Sequence, residues 1–207
     1  MRKQLLTIAL VSITLTTFAC ATTAVRMDDA AVRSMVSGWP QTAQESATMA
    51  IDKYGAPDEA TPTMLVWHHA SGPWKRSIVY RDEVQHDFPM PHKDVWEQVV
   101  DYRVPPDMFD ELALYDGSVI VERTKGELSA RCDKEEANFL AINLADDIVR
   151  GRRTVNDARQ FYAQQIQAVM RGEKGPYVTG LRFTPSSMAM TADRDAPPSM
   201  LSSSPRQ

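Results

Sequence analysis

The pattern of apolar and polar positions predicts two helices in the first part of the chain. Apolar side chains recur at helical spacing over residues 28–36 and again over 41–54. Gly55 and Pro57 follow the second stretch, and both residue types favour the end of a helix. We therefore expect both helices to end before residue 58.

Two β-rich runs, 63–69 and 74–82, predict a hairpin, because a short loop separates them. In the expected register, His69 faces Trp74. A shift by one residue would move every side chain of a strand to the other face of the sheet. The expected register gives one common face to four side chains: Leu65, Trp67, Ile78 and Tyr80.

The middle of the chain predicts a longer strand over 95–104, a short helix over 106–115 and a second hairpin. That hairpin pairs 119–124 with 127–132 through Lys125 and Gly126. Two sets of side chains each share one face: Trp96, Val100, Tyr102 and Val104 in the longer strand, and Val119, Val121, Leu128, Ala130 and Cys132 in the hairpin.

Two longer helices are predicted next. The first covers about 134–150, with Asp133 as its N-cap, and its apolar arc of roughly 200° indicates cover on two sides. Thr154 caps the second helix, with Asp157 at the third position. The short link between them implies an antiparallel pair.

These elements predict the α+β class, with antiparallel hairpins and a longer strand packed against the C-terminal helix pair. The proline-containing segment 88–92 divides a helix–hairpin region, 22–88, from an α+β region, 89–183, unless both form one domain. Residues 184–207 lack periodicity and are rich in Ser, Pro and Met, which predicts a disordered tail.

The first 21 residues predict an export signal. Arg2 and Lys3 precede an uncharged, mostly apolar run over 5–18, and small residues follow it. The run is shorter than the roughly 20 apolar residues that a spanning helix needs. We therefore expect a bacterial protein that works outside the cytoplasm.

Cys20 stands where the apolar run ends, and residues 17–20 resemble the lipobox of bacterial lipoproteins. The resemblance implies acylation of Cys20 and anchoring of the chain in a membrane. Two interpretations remain beside it. Cleavage before Thr22 would give a soluble periplasmic or secreted protein, and an uncleaved segment would itself be the anchor.

Charge and cysteine content exclude other classes. The chain of 207 residues has a formal charge of −4, and loss of Arg2 and Lys3 with the signal would make it −6. An acidic protein is poorly suited to bind phosphate backbones, so we expect no nucleic-acid partner. The two cysteines are too few for a disulfide framework, and stability must come from packing.

The segment 41–82 combines a helix, a Gly55–Pro57 turn and a hairpin that carries Trp67 and Trp74. In these features it resembles the small helix–hairpin domain of outer-membrane assembly lipoproteins of the SmpA/OmlA type. The resemblance implies a local fold and is compatible with a location in the cell envelope. It assigns no function, since one fold serves many functions.

Histidines are the candidates for chemistry. An extended strand would place His68 and His69 roughly 35 Å from His86, which argues against a single cluster of all four histidines. His86, Asp87 and His92 are local and can meet around the proline turn. They form a candidate catalytic or metal-binding set, and exposed loop residues are the simpler alternative.

Other polar residues favour structural interpretations. Cys132 is a candidate nucleophile, but its apolar neighbours on the strand and nearby acidic residues favour a buried structural thiol. Asp146 and Arg150 are spaced for an ion pair on a solvated helix face. Arg152 and Arg153 lie near the helix C-terminus, where cations offset the helix dipole.

The sequence therefore predicts a non-enzymatic cell-envelope protein, lipid-anchored through Cys20, that binds another protein or a small ligand. It predicts no cofactor and no resident metal. The alternative is an exported hydrolase or metal-dependent enzyme using His86, Asp87 and His92. A third interpretation, a partner-binding platform, requires an exposed patch with Trp39, Trp74 or Trp96.

Overall fold

The computed structural model describes residues 28–70 and 72–196. Six strands form one antiparallel sheet in the order β1-β2-β3-β4-β6-β5. The strands are β1 Glu59–Thr61, β2 Met64–His68, β3 Arg76–His86, β4 His92–Asp101, β5 Val119–Glu122 and β6 Glu127–Cys132. The helices are α1 Asp29–Val36, α2 Gln41–Tyr54, α3 Phe109–Tyr115, α4 Glu135–Val149, α5 Val155–Met170, α6 Pro176–Thr179 and α7 Met188–Thr191, with a 3-10 turn at Pro106–Met108.

The α+β class is confirmed, since an antiparallel sheet packs against helices. The sheet includes strands from both regions that segment 88–92 was expected to divide. That segment lies in the loop of the β3–β4 hairpin, in which His86 pairs with His92. The predicted signal, residues 1–21, and the candidate lipidation site Cys20 lie outside the described residues.

The predicted register of the β2–β3 hairpin is wrong by one residue. Leu65 pairs with Val79, and Trp67 pairs with Ser77. Ile78 and Tyr80 therefore lie on the face opposite Leu65 and Trp67. The reason is the loop, in which His69 N donates to the carbonyl of Lys75 and so closes the hairpin one residue later than expected.

The pairing of the β5–β6 hairpin is shifted by two residues from the prediction, because Glu122 rather than Thr124 lies opposite Glu127 and the turn covers residues 123–126. A shift of two residues keeps each side chain on its predicted face. Val119 pairs with Ala130, and Val121 pairs with Leu128. Cys132 has the same parity as Leu128 and Ala130, so all three lie on one face. This face packs against α4 in the larger of the two core clusters, which contains Leu128 and Ala130.

One face of the sheet carries the core. Trp96, Gln98 and Val100 alternate along β4 and point toward α2 and α4, where Trp96 packs in the cluster of α2 and Val100 in that of α4. The opposite face carries polar ladders, in which Glu97 accepts hydrogen bonds from Tyr80 and Ser129. The chain thus forms two layers, with helices on one side of the sheet.

Helix α4 is buried almost all round, as its wide apolar arc predicted; 13 of its 15 residues are buried. The predicted N-cap Asp133 is wrong, because the helix begins one residue later and Lys134 occupies the cap without a side-chain hydrogen bond. The buried amide of Asn138 donates to the carbonyl of Trp96 and to Gln98 Oε1. The predicted cap of α5 is confirmed, since Thr154 Oγ1 accepts from Asp157 N.

Residues 184–196, which belong to the segment predicted to be a disordered tail, pack against the β5–β6 turn. Thr191 is buried, and Asp193 N donates to the carbonyl of Thr124. Gly126 has a φ of +67°, and a Cβ atom there would lie 2.1 Å from the carbonyl carbon of Thr191. Glycine at this turn therefore permits both the left-handed backbone and the close approach.

Across residues 28–70 and 72–196, no helix combines the length and the apolar character that crossing a membrane requires.

Candidate metal centre

His86, His92 and Asp94 lie together at one end of the β3–β4 pair. His86 pairs with His92, and Val84 pairs with Asp94. Paired residues point to the same face of a sheet, as do residues two apart on one strand. All three functional side chains therefore lie on the helix-covered face, and we call this set the β3–β4 site.

An irregularity in β3 creates this arrangement. Val79 pairs with Trp96, but the next pair joins Val84 to Asp94, so residues 80–83 stand opposite the single residue Val95. Three extra residues in β3 change the parity of the strand. Without them His86 would point to the polar face of the sheet and would not meet His92.

The distances within the β3–β4 site suit a common ligand. His92 Nε2 lies 3.1 Å from Asp94 Oδ1, and His86 Nδ1 lies 3.5 Å from Asp94 Oδ2. One ligand atom from each residue lies within 4.8 Å of the other two. Asp94 is 1 % exposed, while both imidazoles are half-buried. A buried carboxylate thus lies between two imidazoles.

Neighbouring groups hold both imidazoles by the nitrogen that faces away from Asp94. His92 Nδ1 lies 2.9 Å from the carbonyl of Met90, which fixes the proton on that nitrogen. His86 Nε2 lies 3.6 Å from Asp116 Oδ1, and Ser118 N donates to the same oxygen. Histidines that bind metals are oriented in this way by carbonyl or carboxylate groups.

The carboxylate of Asp94 is also oriented by a neighbouring side chain, that of Ser118. Ser118 Oγ donates a short hydrogen bond to Asp94 Oδ2 and lies 3.3 Å from His86 Nδ1. Asp94 Oδ1, by contrast, has no hydrogen-bond partner within the described part of the chain. The 3.1 Å contact with His92 Nε2 brings the two atoms close without the direction of a hydrogen bond, so a buried oxygen remains free to bind a cation.

Electrostatics at the site are dominated by buried carboxylates. Burial lowers the pKa of His92, but its contacts with Asp94 and Cys132 outweigh burial and raise the pKa to about 11. Burial raises the pKa of Asp116. The site therefore favours positive charge at the point where the imidazoles and carboxylates converge.

Cys132 lies beside the β3–β4 site. It pairs with Trp96 across β4 and β6, so its side chain lies on the same face as His92 and Asp94. The thiol is buried, contacts His92, and lies 3.5 Å from Asp133 Oδ1. Burial raises the pKa of this thiol. The prediction that Cys132 is buried is confirmed.

The geometry argues against a Cys–His–Asp catalytic triad. In such a triad the thiol and the carboxylate bind opposite nitrogens of the imidazole. Here the carbonyl of Met90 occupies His92 Nδ1, and Asp94 faces His92 Nε2. No ring nitrogen remains to take a proton from Cys132 while Asp94 orients the ring.

A cleft of about 480 Å³ opens beside the site. His92 and Cys132 lie in its wall, and α5 contributes Tyr162, Ile166 and Val169. The cleft is mainly apolar, and the charged residues Lys134, Glu136 and Lys174 also lie in its wall. An occupant of the cleft would reach the β3–β4 site from the side of His92.

The structure brings two of the three predicted candidates together and leaves the third apart. His86 and His92 meet as predicted, with ring centroids 5.0 Å apart. Asp87 does not join them, because it lies exposed in the hairpin loop and accepts a hydrogen bond from Gln85 Nε2 at 2.9 Å. Asp94 takes its place. The alternation of strand residues is the signal that favours Asp94, since it lies two positions after His92 on the same face.

The remaining histidines are remote from this arrangement. His68 ends β2, where His68 Nε2 lies 2.5 Å from Glu59 Oε1, and His69 lies in the hairpin turn with a φ of 50°. His68 and His69 are exposed. The prediction that they do not cluster with His86 agrees with their place at the far end of β3.

The expectation of a solvated helix face around Asp146 is wrong. Asp146 and its neighbour Asp147 are buried, although the predicted pair of Asp146 with Arg150 is present at 2.7 Å. Arg152 and Arg153 bind Asp147, so these arginines have a structural role, as the sequence favoured. The three tryptophans proposed for an exposed patch, Trp39, Trp74 and Trp96, are all buried.

Comparison of the chain with protein-family models, with curated proteins and with solved structures found no match. The resemblance of residues 41–82 to the SmpA/OmlA type stays a prediction. The functional argument therefore rests on the geometry of the β3–β4 site.

Proposed function

We propose that this protein is an exported cell-envelope protein that binds a divalent transition-metal ion at His86, His92 and Asp94. The observation that carries the proposal is the convergence of two imidazoles and a buried carboxylate within 4.8 Å. Imidazole and carboxylate are ligands that Zn²⁺ and related ions use in proteins. Binding, rather than turnover, is the activity that this arrangement supports most directly.

Distances support the proposal. Ligands at about 2.0–2.1 Å from a tetrahedral zinc ion lie roughly 3.3 Å from one another. The contacts of Asp94 with His92 Nε2 and His86 Nδ1 are 3.1 and 3.5 Å. An ion can therefore enter with small adjustments of the three side chains.

The contacts that surrounding residues make with the three ligands also support metal binding. Met90 and Asp116 engage the far nitrogens of the imidazoles, and Ser118 engages Asp94. These contacts orient the ligands before a metal arrives, which lowers the conformational cost of binding. The charge of a bound cation would also compensate the buried carboxylates of Asp94 and Asp116.

Binding is tested with the full chain, stripped by a chelator and titrated with Zn²⁺ in a calorimeter. We expect stoichiometric binding by the wild type and a loss of more than about tenfold in affinity for His92→Ala and Asp94→Asn. His68→Ala is the matched control, because it removes an exposed histidine far from the site. Equal affinities of all four proteins, or no binding by the wild type, would overturn the proposal.

The proposed location rests on the sequence of the N-terminus. Arg2 and Lys3 before an uncharged run, and Cys20 at its end, support export and a lipid anchor in a bacterial membrane. Mass spectrometry of the mature N-terminus decides between the alternatives. An acylated Cys20 supports the anchor, an unmodified Thr22 terminus supports soluble export, and an intact Met1 terminus in the cytosol contradicts both.

A metal-dependent hydrolase is the second candidate, and one observation favours it. His92 lies both in the β3–β4 site and in the wall of the cleft of about 480 Å³, so a bound ion would be accessible to a small substrate. Hydrolysis of an aryl ester by the zinc-loaded chain, lost in Asp94→Asn, would support this candidate. A zinc-loaded chain that hydrolyses neither aryl esters nor aryl phosphates faster than free zinc would contradict it.

A further inference from the structure

We propose that the thiolate of Cys132 is the fourth ligand of the β3–β4 site. The inference rests on the proposed metal binding and deepens it, because a sulfur ligand selects the class of metal. Sulfur, imidazole and carboxylate together favour Zn²⁺ and its neighbours, such as Co²⁺, over Mg²⁺ and Ca²⁺, which prefer oxygen ligands.

The strand order brings Cys132 to the site. β3, β4 and β6 are consecutive strands of the sheet, and they carry His86, His92 with Asp94, and Cys132 on one face. Three neighbouring strands thus each contribute to one cluster. Ligands held on strands are positioned more precisely than ligands held on loops.

The thiol contacts a proposed ligand directly. Cys132 contacts the imidazole of His92, whose Nδ1 is already engaged by the carbonyl of Met90. The thiol also forms a weak hydrogen bond with Asp133 Oδ1 at 3.5 Å. A buried thiol is therefore held against the ring that carries the proposed ligand nitrogen.

A second observation points independently to a ligand. Asp94 Oδ1 is buried and has no hydrogen-bond partner among residues 28–70 and 72–196. It lies 3.1 Å from His92 Nε2, the ring nitrogen that Met90 does not engage. A cation that displaces the proton of this nitrogen would bind both atoms and compensate the buried carboxylate.

Binding of a metal by Cys132 involves the loss of a proton and no change of oxidation state. The thiol of Cys132 loses its proton to solvent, and a metal–sulfur bond forms with the two electrons of the thiolate. The ligand atoms that lie within 4.8 Å of one another belong to His86, His92 and Asp94 and do not include the thiol of Cys132, so the thiol has to move toward an ion held by these three. Zn²⁺ accepts this sulfur ligand at about 2.3 Å.

Cobalt(II) is the probe, because it replaces zinc and its spectrum reports its ligands. We expect the full chain, titrated with Co²⁺, to develop visible d–d absorption together with a sulfur-to-cobalt charge-transfer band in the near ultraviolet. Cys132→Ser should keep the d–d absorption and lose the charge-transfer band. Its zinc affinity should also fall by more than about tenfold.

Cys20→Ser is the matched control, since the chain has two cysteines and Cys20 lies in the predicted signal. This variant should keep the charge-transfer band of the wild type. Cobalt d–d absorption without a charge-transfer band in the wild type would overturn the role of Cys132 and leave the three-ligand site standing. No cobalt and no zinc binding by the wild type would overturn both proposals.

A loss of folding in Cys132→Ser does not prevent the test, because the wild-type spectrum by itself decides whether sulfur is bound. Alkylation gives a second measurement. Zn²⁺ should slow the reaction of Cys132 with iodoacetamide in the wild type, and Mg²⁺ should not. Equal alkylation rates with and without Zn²⁺, at a concentration that saturates the site, would overturn the role of Cys132.

Discussion

His86 and His92 face each other across the end of the β3–β4 pair, with ring centroids 5.0 Å apart. The irregularity at residues 80–83 makes this possible, because it brings His86 to the face that carries His92 and Asp94. A hairpin with uninterrupted pairing from Val79 and Trp96 would separate the two imidazoles by the thickness of the sheet.

Bound zinc is expected to stabilise the fold, because the β3–β4 site is assembled from residues that the unfolded chain holds apart. At a free zinc concentration one hundred times the dissociation constant, the free energy of unfolding should rise by about 2.7 kcal/mol. Thermal unfolding of the full chain with zinc, and again after a chelator is added, measures the effect. Asp94→Asn should show no zinc-dependent rise, and an equal rise in this variant would contradict the site.

Ser118→Ala should weaken metal binding without removing a ligand. The hydroxyl of Ser118 donates to Asp94 and orients its carboxylate, so its loss should lower the zinc affinity by about 10- to 100-fold. Calorimetric titration measures the change. Ser34→Ala, at an exposed position of α1, is the control and should leave the affinity unchanged. An unaltered affinity in Ser118→Ala would show that this hydrogen bond does not prepare the site.

Gly126→Ala should destabilise the protein by more than Gly172→Ala. Both glycines have positive φ, so each alanine costs about 1–2 kcal/mol in backbone strain. A Cβ atom at Gly126 would in addition meet the backbone of Thr191, whereas Gly172 has open space. Chemical denaturation gives the two free energies, and limited proteolysis should show faster cleavage within 184–196 for Gly126→Ala alone. Equal losses of stability would contradict the packing of this segment.

Glu127 should stabilise the fold in a pH-dependent way. Burial raises its pKa, but Arg76 and Lys75 outweigh burial and lower it to about 2, from an ordinary value of 4.5. Because the folded state holds the lower pKa, the stabilisation is complete above pH 4.5 and is lost as the pH falls toward 2. The difference in unfolding free energy between wild type and Glu127→Gln should therefore be largest at neutral pH and shrink below pH 4.5.

Glu45→Gln is the control for this pH series, since Glu45 lies exposed on α2. Denaturant titrations between pH 2.5 and 7 supply the free energies. A stability difference for Glu127→Gln that stays constant from pH 7 to pH 2.5 would show that the ion pairs with Arg76 and Lys75 do not stabilise the folded state.

The sequence was most informative where one local rule decides. The side chains of the β5–β6 hairpin lie on their predicted faces, although the pairing is shifted by two residues, and Thr154 caps α5 as its position before Asp157 indicated. Both features depend on a few adjacent residues and on short-range hydrogen bonds. The wide apolar arc of α4 likewise predicted burial on more than one side, because the arc is a property of the helix alone.

Predictions from local sequence were wrong where a loop sets the strand register or a long-range contact sets the burial of a side chain. The β2–β3 register depends on how the loop before Lys75 closes, and one residue of difference moved Ile78 and Tyr80 to the other face. Asp146 and Asp147 have the spacing of a solvated face, but Tyr102 and Tyr177 cover them from distant parts of the chain. The spacing of residues along α4 contains no information about those tyrosines.

The amino-acid sequence by itself determined the fold class, the five longest helices and most strands, because these follow from periodicity. The short connection between His86 and His92 allowed the two histidines to meet, but did not decide that they do. Only the tertiary structure decided that Asp94 replaces Asp87, and that Cys132 lies beside the β3–β4 site. Both depend on the pairing of β3, β4 and β6, in which an irregular register and the strand order bring distant residues to one face. Pairing between strands is set by the whole sheet, so no single segment specifies it.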